Sequence, residues 1–211
     1  MKNILLIISI IFIFNACSSK QTEEYNKPAL YWYNKMLQQI ATYQYDKADD
    51  TFTSLESEHR NSPLLPSALM IIATTHMDDE EYELAVYYFD QYIKRFEKSG
   101  LKDYVRYLKI KAKFLAFKEQ FRDQKLIDDT LHDTNEFIAK YPNSSYIYIV
   151  KTIQSRLYMS KAMLDIEIAQ LYNRIDKPKG AKVYFAKAKE SWSDIKNIKK
   201  VDVPWYKAIF E

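Results

Sequence analysis

Glycine is almost missing from this chain of 211 residues, which has only Gly100 and Gly180. That scarcity excludes a glycine-rich phosphate loop, and no G-x-S-x-G nucleophile turn is present. Cysteine occurs once, at Cys17, so no internal disulfide can form. The three histidines, His59, His76 and His132, fall in no H-E-x-x-H or similar metal spacing. Spanning a bilayer takes roughly 20 apolar residues, and the apolar run at the start, Ile4 to Phe14, is about half that. With few glycines and prolines, and with abundant Ala, Lys, Glu and Tyr, the composition specifies an all-α chain. Its net charge of +3 implies little by itself, but the charge is unevenly spread. Acidic residues outnumber basic ones two to one between Gln21 and Gly100, and the ratio more than reverses between Lys151 and Lys200. Such polarity offers two different faces to two partners. The basic part carries no nucleic-acid motif, so no nucleic-acid partner is expected. Asp78-Asp79-Glu80-Glu81 lacks the alternation and the turn glycine of an EF-hand loop and reads as a polar turn between helices. No metal site and no catalytic cluster stands out, so the chain is expected not to be an enzyme.

The first residues have a definite order: Met1-Lys2-Asn3, the apolar run, Asn15-Ala16, then Cys17-Ser18-Ser19-Lys20. A charged start, a short apolar stretch and a small residue before a cut define a secretory signal. With cysteine just after the cut, the pattern resembles a bacterial lipoprotein signal, with Phe14 where leucine is usual. The resemblance implies a diacylglycerol on the Cys17 thiol and a third acyl chain on the freed amine; no other cofactor is expected. Ser18 after the cysteine implies, by the same resemblance, the outer membrane and its periplasmic face. Residues 1–16 are thus the expected signal peptide and 17–27 a flexible tether.

From Pro28 onward the sequence repeats. Tyr45-Asp46-Lys47-Ala48 and Tyr82-Glu83-Leu84-Ala85 lie 37 residues apart, and each alanine is followed four residues later by a phenylalanine, Phe52 or Phe89. An amphipathic stretch precedes each. This looks like the tetratricopeptide pattern of paired antiparallel helices, with a period near 34 residues. Trp32 opens the first helix A, and Met36 and Ala73 take the position where helix B approaches. Ala48 and Ala85 are the small partners on helix B, and Phe52 and Phe89 fill the space between repeats. A third unit pairs a helix from Lys102 to Lys118, with Val105, Leu108, Ala112 and Leu115 on one face, with a second from Gln124 to Lys140. The run from Ser145 to Ile175 is two stacked helices or one bent one, and a last repeat carries Ala169 and Tyr172, then Ala181, Phe185 and Ala188. The array covers 28–195, with repeats near 29–62, 66–99, 101–144 and 145–195 and a tail at 196–211. His76 falls on the packing face of its helix as a satisfied core histidine. The expected architecture is a right-handed tetratricopeptide-like solenoid of about five helix pairs, which stack into a continuous core with a concave surface.

The order of these features resembles one family. A lipidated cysteine and a short tether lead to Asn26-Lys27-Pro28 and two good repeats. Phe137-Ile138-Ala139-Lys140-Tyr141-Pro142-Asn143-Ser144-Ser145-Tyr146 follows, then a long helix with Asp165-Ile166-Glu167-Ile168-Ala169-Gln170-Leu171-Tyr172. Together they are similar to the BamD (ComL, YfiO) lipoprotein family of the β-barrel assembly machinery, over nearly the whole mature chain. The resemblance implies a five-repeat, non-enzymatic scaffold. Its C-terminal half would bind the periplasmic domains of the central barrel protein, beside other assembly lipoproteins, and its N-terminal repeats would receive unfolded outer-membrane proteins. Tyr33, Leu37, Met70 and Thr74 are the groove candidates, since Tyr and Met suit an extended apolar-aromatic peptide. Arg156, Lys161, Arg174 and Lys177 are the candidates for docking an acidic partner face. The competing reading is a repeat lipoprotein of pilus assembly or of cell-envelope and division complexes.

Overall fold

The computed structural model describes residues 24–96, 100–117 and 123–193. Among them every regular element is an α-helix: α1 Ala29–Ala41, α2 Tyr45–Glu58, α3 Leu65–Asp78, α4 Tyr82–Arg95, α5 Lys102–Leu115, α6 Gln124–Lys140, α7 Ile147–Arg174 and α8 Pro178–Ser191. The expected signal peptide, Cys17, the start of the tether and the 196–211 tail lie outside the described residues. Prolines mark several starts. Pro28 precedes α1, Pro66 sits in the first turn of α3, and Pro178 opens α8, where a missing N–H is harmless. Asp123 caps α6 by accepting from the Leu126 N–H at 2.9 Å.

Three hairpin turns close in the same way. The N–H of Gln44 donates to the Gln39 carbonyl (2.9 Å), that of Glu81 to His76 (2.8 Å) and that of Lys177 to Tyr172 (2.9 Å). The residue before each donor is left-handed: Tyr43 (φ 58°), Glu80 (φ 62°) and Asp176 (φ 54°). This is the Schellman helix ending, which usually places glycine at that position. A side chain there costs about 1 kcal/mol or more. Glu80→Gly is therefore expected to stabilise the protein by about 0.5–1 kcal/mol, read as a higher thermal midpoint. An unchanged or lower midpoint would show that the turn carries no such strain.

The turns between hairpins also repeat. In the α2–α3 turn the N–H of Ser62 donates to His59 and that of Leu65 to Ser62; in the α6–α7 turn Ser144 donates to Tyr141 and Ile147 to Ser144. The Ser62 and Ser144 hydroxyls each accept from the N–H two residues on, at 3.2 Å. Asn-Ser after a helix end thus encodes the same local bend twice.

Stacking these hairpins buries one core from α1 to α5, including Trp32, Met36, Phe52, Leu69, Phe89 and Val105, and a second between α5, α6 and α7 around Ile110, Phe137 and Leu157. Phe52 and Phe89 sit at 2 % and 0 % exposure between successive repeats, each contributing about 2–3 kcal/mol of apolar burial. Phe185, at the matching offset in the last hairpin, is 43 % exposed. Among the described residues no further hairpin follows to cover it. Leu115, expected on the packing face, is 40 % exposed at the last residue of α5, which ends short of the expected Lys118.

The stretch that sequence left as two helices or one is a single helix. At 28 residues, α7 is twice the length of most of its neighbours. Its first half packs against α6 through Val150, Ile153 and Leu157. Its second half carries α8, with Tyr172 stacked on Tyr184 at 5.5 Å and Ala162, Ala169, Ala181 and Ala188 fully buried. α6 therefore begins, and α8 ends, beside the middle of α7.

Candidate functional site

The groove candidates occupy equivalent positions in successive repeats, since Tyr33 and Met70 are 37 residues apart, as are Leu37 and Thr74. All four are half-buried. Tyr33, Leu37 and Met70 pack on one side against the first core, leaving part of each accessible. Thr74 Oγ1 donates to the carbonyls of Met70 (2.9 Å) and Ile71 (3.0 Å), so its hydroxyl is spent within its own helix. Sequence reasoning missed further apolar surface on this hairpin. Tyr25, Leu30 and Tyr43 are 78 %, 58 % and 83 % exposed. Leu30 lies off the stripe through Trp32, Tyr33, Met36 and Leu37, and that periodicity was the signal that could have found it.

The end of the expected tether is tied down. The Asn26 N–H donates to Glu58 Oε1 (3.1 Å), and Trp32 Nε1 to Glu58 Oε2 (2.8 Å). His59 Nε2 lies 2.7 Å from the Lys27 carbonyl, and Lys35 Nζ donates to Glu24 Oε2 at 2.8 Å. The Trp32 hydrogen bond, together with the Asn26 and Lys27 backbone, holds the Glu58 carboxyl below its ordinary range. Residues 24–27, the end of the expected tether, are thus bonded to the first hairpin.

Behind the groove candidates lies a buried polar network. His76, 1 % exposed, places Nδ1 2.6 Å from Glu81 Oε2 and Nε2 2.9 Å from Asp49 Oδ1. Tyr88 donates its hydroxyl to the same Asp49 oxygen at 2.8 Å and stacks on the imidazole at 5.4 Å. Burial alone would lower the His76 pKa, but its hydrogen bonds to the Asp49 and Glu81 carboxylates, with their charge, outweigh it and raise the pKa. The network joins α2, α3, the α3–α4 turn and, through Tyr88, α4. Among the described residues no group of three or more His, Cys, Asp or Glu is placed to hold a metal ion.

The docking candidates do not form one patch. Arg156 and Arg174 stand at opposite ends of a span of about 27 Å along α7, at about 1.5 Å per residue. Lys177 lies beside Arg174 in the turn to α8. All three are exposed. Lys161 is turned to another use, donating to Asp128 Oδ1 of α6 at 2.5 Å. The basic surface is therefore split between mid-α7 and the α7–α8 turn.

Stacked helical hairpins with an accessible row of Tyr, Leu and Met define a tetratricopeptide-like solenoid. Among the described residues no helix is long and apolar enough to cross a membrane. A family model described as outer membrane lipoprotein, YfiO, matches residues 25–197. The chain is also 38 % identical over 206 residues to the outer membrane protein assembly factor BamD of Helicobacter pylori, covering 97 % of this chain and 94 % of that protein. The chain belongs to the YfiO family of outer membrane lipoproteins.

Proposed function

We propose that this protein is a lipid-anchored scaffold subunit of the β-barrel assembly machinery, held on the periplasmic face of the outer membrane. It binds unfolded outer-membrane proteins and the periplasmic domains of the central barrel subunit, promotes insertion, and performs no catalysis. The near full-length likeness to an outer membrane protein assembly factor carries this reading. The accessible, repeat-equivalent positions Tyr33, Leu37, Met70 and Thr74 support the peptide-receiving part of it. An extended apolar-aromatic strand would lay alternate side chains against α1 and α3. Arg156, Arg174 and Lys177 serve the central subunit as two separate contacts. Lys161, already paired with Asp128, contributes less.

The test has two arms. Photo-crosslinking residues placed at positions 33, 37, 70 and 74 are expected to capture a peptide copied from the C-terminal strand of an outer-membrane barrel, whereas position 148, on exposed Tyr148, is not. Equal capture at all five positions would sink the groove assignment. Purification from mildly solubilised envelopes is expected to recover a barrel protein with repeated periplasmic domains. Recovery of secretin or division proteins in its place would replace the reading with the pilus or division alternative.

A further inference from the structure

Where α6 begins and α8 ends beside the middle of α7, they leave a cleft of about 670 Å³. Asp165 lines it from α7 and is only 3 % exposed. Its Oδ2 is buried with no hydrogen-bond partner. A buried carboxylate oxygen left unpaired is costly, and native structures seldom tolerate it without a reason. The two nearby cations do not serve it. Lys161 Nζ is bonded to Asp128 Oδ1, and Lys187 Nζ sits over the Tyr184 ring, 4.7 Å from its centroid. Burial holds the Asp165 carboxyl above its ordinary range, although Lys161 and Lys187 both pull it down.

The rest of the lining says what is missing. Asp128, Asp165 and Glu190 outnumber Lys161 and Lys187, and Tyr158 and Trp192 supply aromatic surface, Tyr184 being already stacked on Tyr172 and covered by Lys187. The C-terminal end of α8 favours a cation, while the N-terminal end of α6 favours the carboxylates in their charged form. A guest that donates hydrogen bonds, carries positive charge, and stacks flat on aromatic rings would meet every one of these features. A guanidinium does all three, being planar and more weakly hydrated than an ammonium. The cleft is also several times larger than one side chain, with room for the backbone that brings it. We propose that this cleft receives an arginine side chain from a partner protein, with Asp165 as its counter-anion. This surface is distinct from the groove on α1 and α3 and opposite in charge preference to Arg156, Arg174 and Lys177; Lys161 lines it but is held by Asp128.

Acetyl-Gly-Arg-Gly-amide, titrated into the purified mature protein in detergent, provides the probe, with the Trp192 indole resonance followed by NMR. A saturable shift is expected with the arginine peptide, and none with the isosteric, uncharged citrulline peptide. Asp165→Asn is expected to weaken binding by at least about tenfold. Its thermal midpoint should equal or exceed that of the parent protein, because the carboxylate it removes has no partner to lose. Equal shifts with the citrulline peptide would overturn the proposal without any variant. So would undiminished binding by Asp165→Asn, or a lower midpoint for that variant, which would mean that the carboxylate is held by a group within the chain.

Discussion

His76→Ala is expected to lower stability by about 2–3 kcal/mol below pH 6.5, or roughly 5–10 °C in thermal midpoint for a chain of this size. Both ring nitrogens of His76 face carboxylate oxygens, so both must donate and the imidazolium is the bonded form. Removing it strips a buried charge from between Asp49 and Glu81, strands the Tyr88–Asp49 bond without its third member, and opens a void under the stacked Tyr88 ring. Partial exposure of the two carboxylates, 25 % and 45 %, keeps the penalty below that of a fully buried pair. The pH dependence has a fixed sign. Because the folded-state pKa of His76 is raised above 6.5, its stabilisation is fully present below pH 6.5 and is lost as pH rises through the folded value. The wild-type midpoint should therefore fall on going from pH 6 to pH 9, while that of His76→Ala should change much less over the same interval. Parallel midpoint curves for the two proteins would show that the network carries no charge-dependent stability.

That network also shows what a sequence can and cannot disclose. The position of His76 on the packing stripe of α3 was legible, because helical periodicity fixes which face a residue takes. Its partners were not. Asp49 is 27 residues away on another helix, and Glu81 reaches back only because Glu80 turns the chain through a left-handed conformation. Turns of this kind are read from glycine, and Tyr43, Glu80 and Asp176 are not glycine. Helix identities were the most readable part, and α6 runs from Gln124 to Lys140 as its pattern specifies. Phe185 illustrates the opposite limit. Its offset from Ala181 matches that of Phe52 from Ala48, but burial of that position depends on the hairpin that follows rather than on the residue itself. Asp165 passed unnoticed within an acidic-apolar helix. It lies between Ala162 and Ala169, on the face those alanines bury, and a carboxylate on a small-residue stripe was the signal.

Cys17→Ser is expected to release the protein completely from carbonate-washed membranes, to which the wild-type protein stays bound. Each buried methylene contributes about 0.8 kcal/mol, and one acyl chain gives only marginal binding, whereas additional chains make attachment effectively permanent. Serine offers no thiol to acylate, so the loss should be all-or-none rather than graded. The anchored hairpin sets the geometry. Glu24 is bonded to Lys35 and Tyr31, so the stretch from Cys17 to Glu24 can span at most about 25 Å. A lipid on Cys17, as proposed, would within that reach keep the first two repeats close to the bilayer, where an incoming strand would have to be delivered. Partner subunits could retain an unlipidated chain at the membrane, and an alkaline carbonate wash separates the two cases because it strips peripheral proteins and leaves acylated ones. The wild-type protein should remain in the washed pellet, and Cys17→Ser should be released. If the serine variant still resists the wash, the anchor is not a lipid on Cys17. Lengthening the leash with a flexible insert between Ser19 and Lys20 gives a separate check on reach. If proximity to the bilayer matters, such an insert should lower barrel assembly while leaving the protein in the washed pellet; unchanged assembly would show that the lipid supplies an address and nothing more.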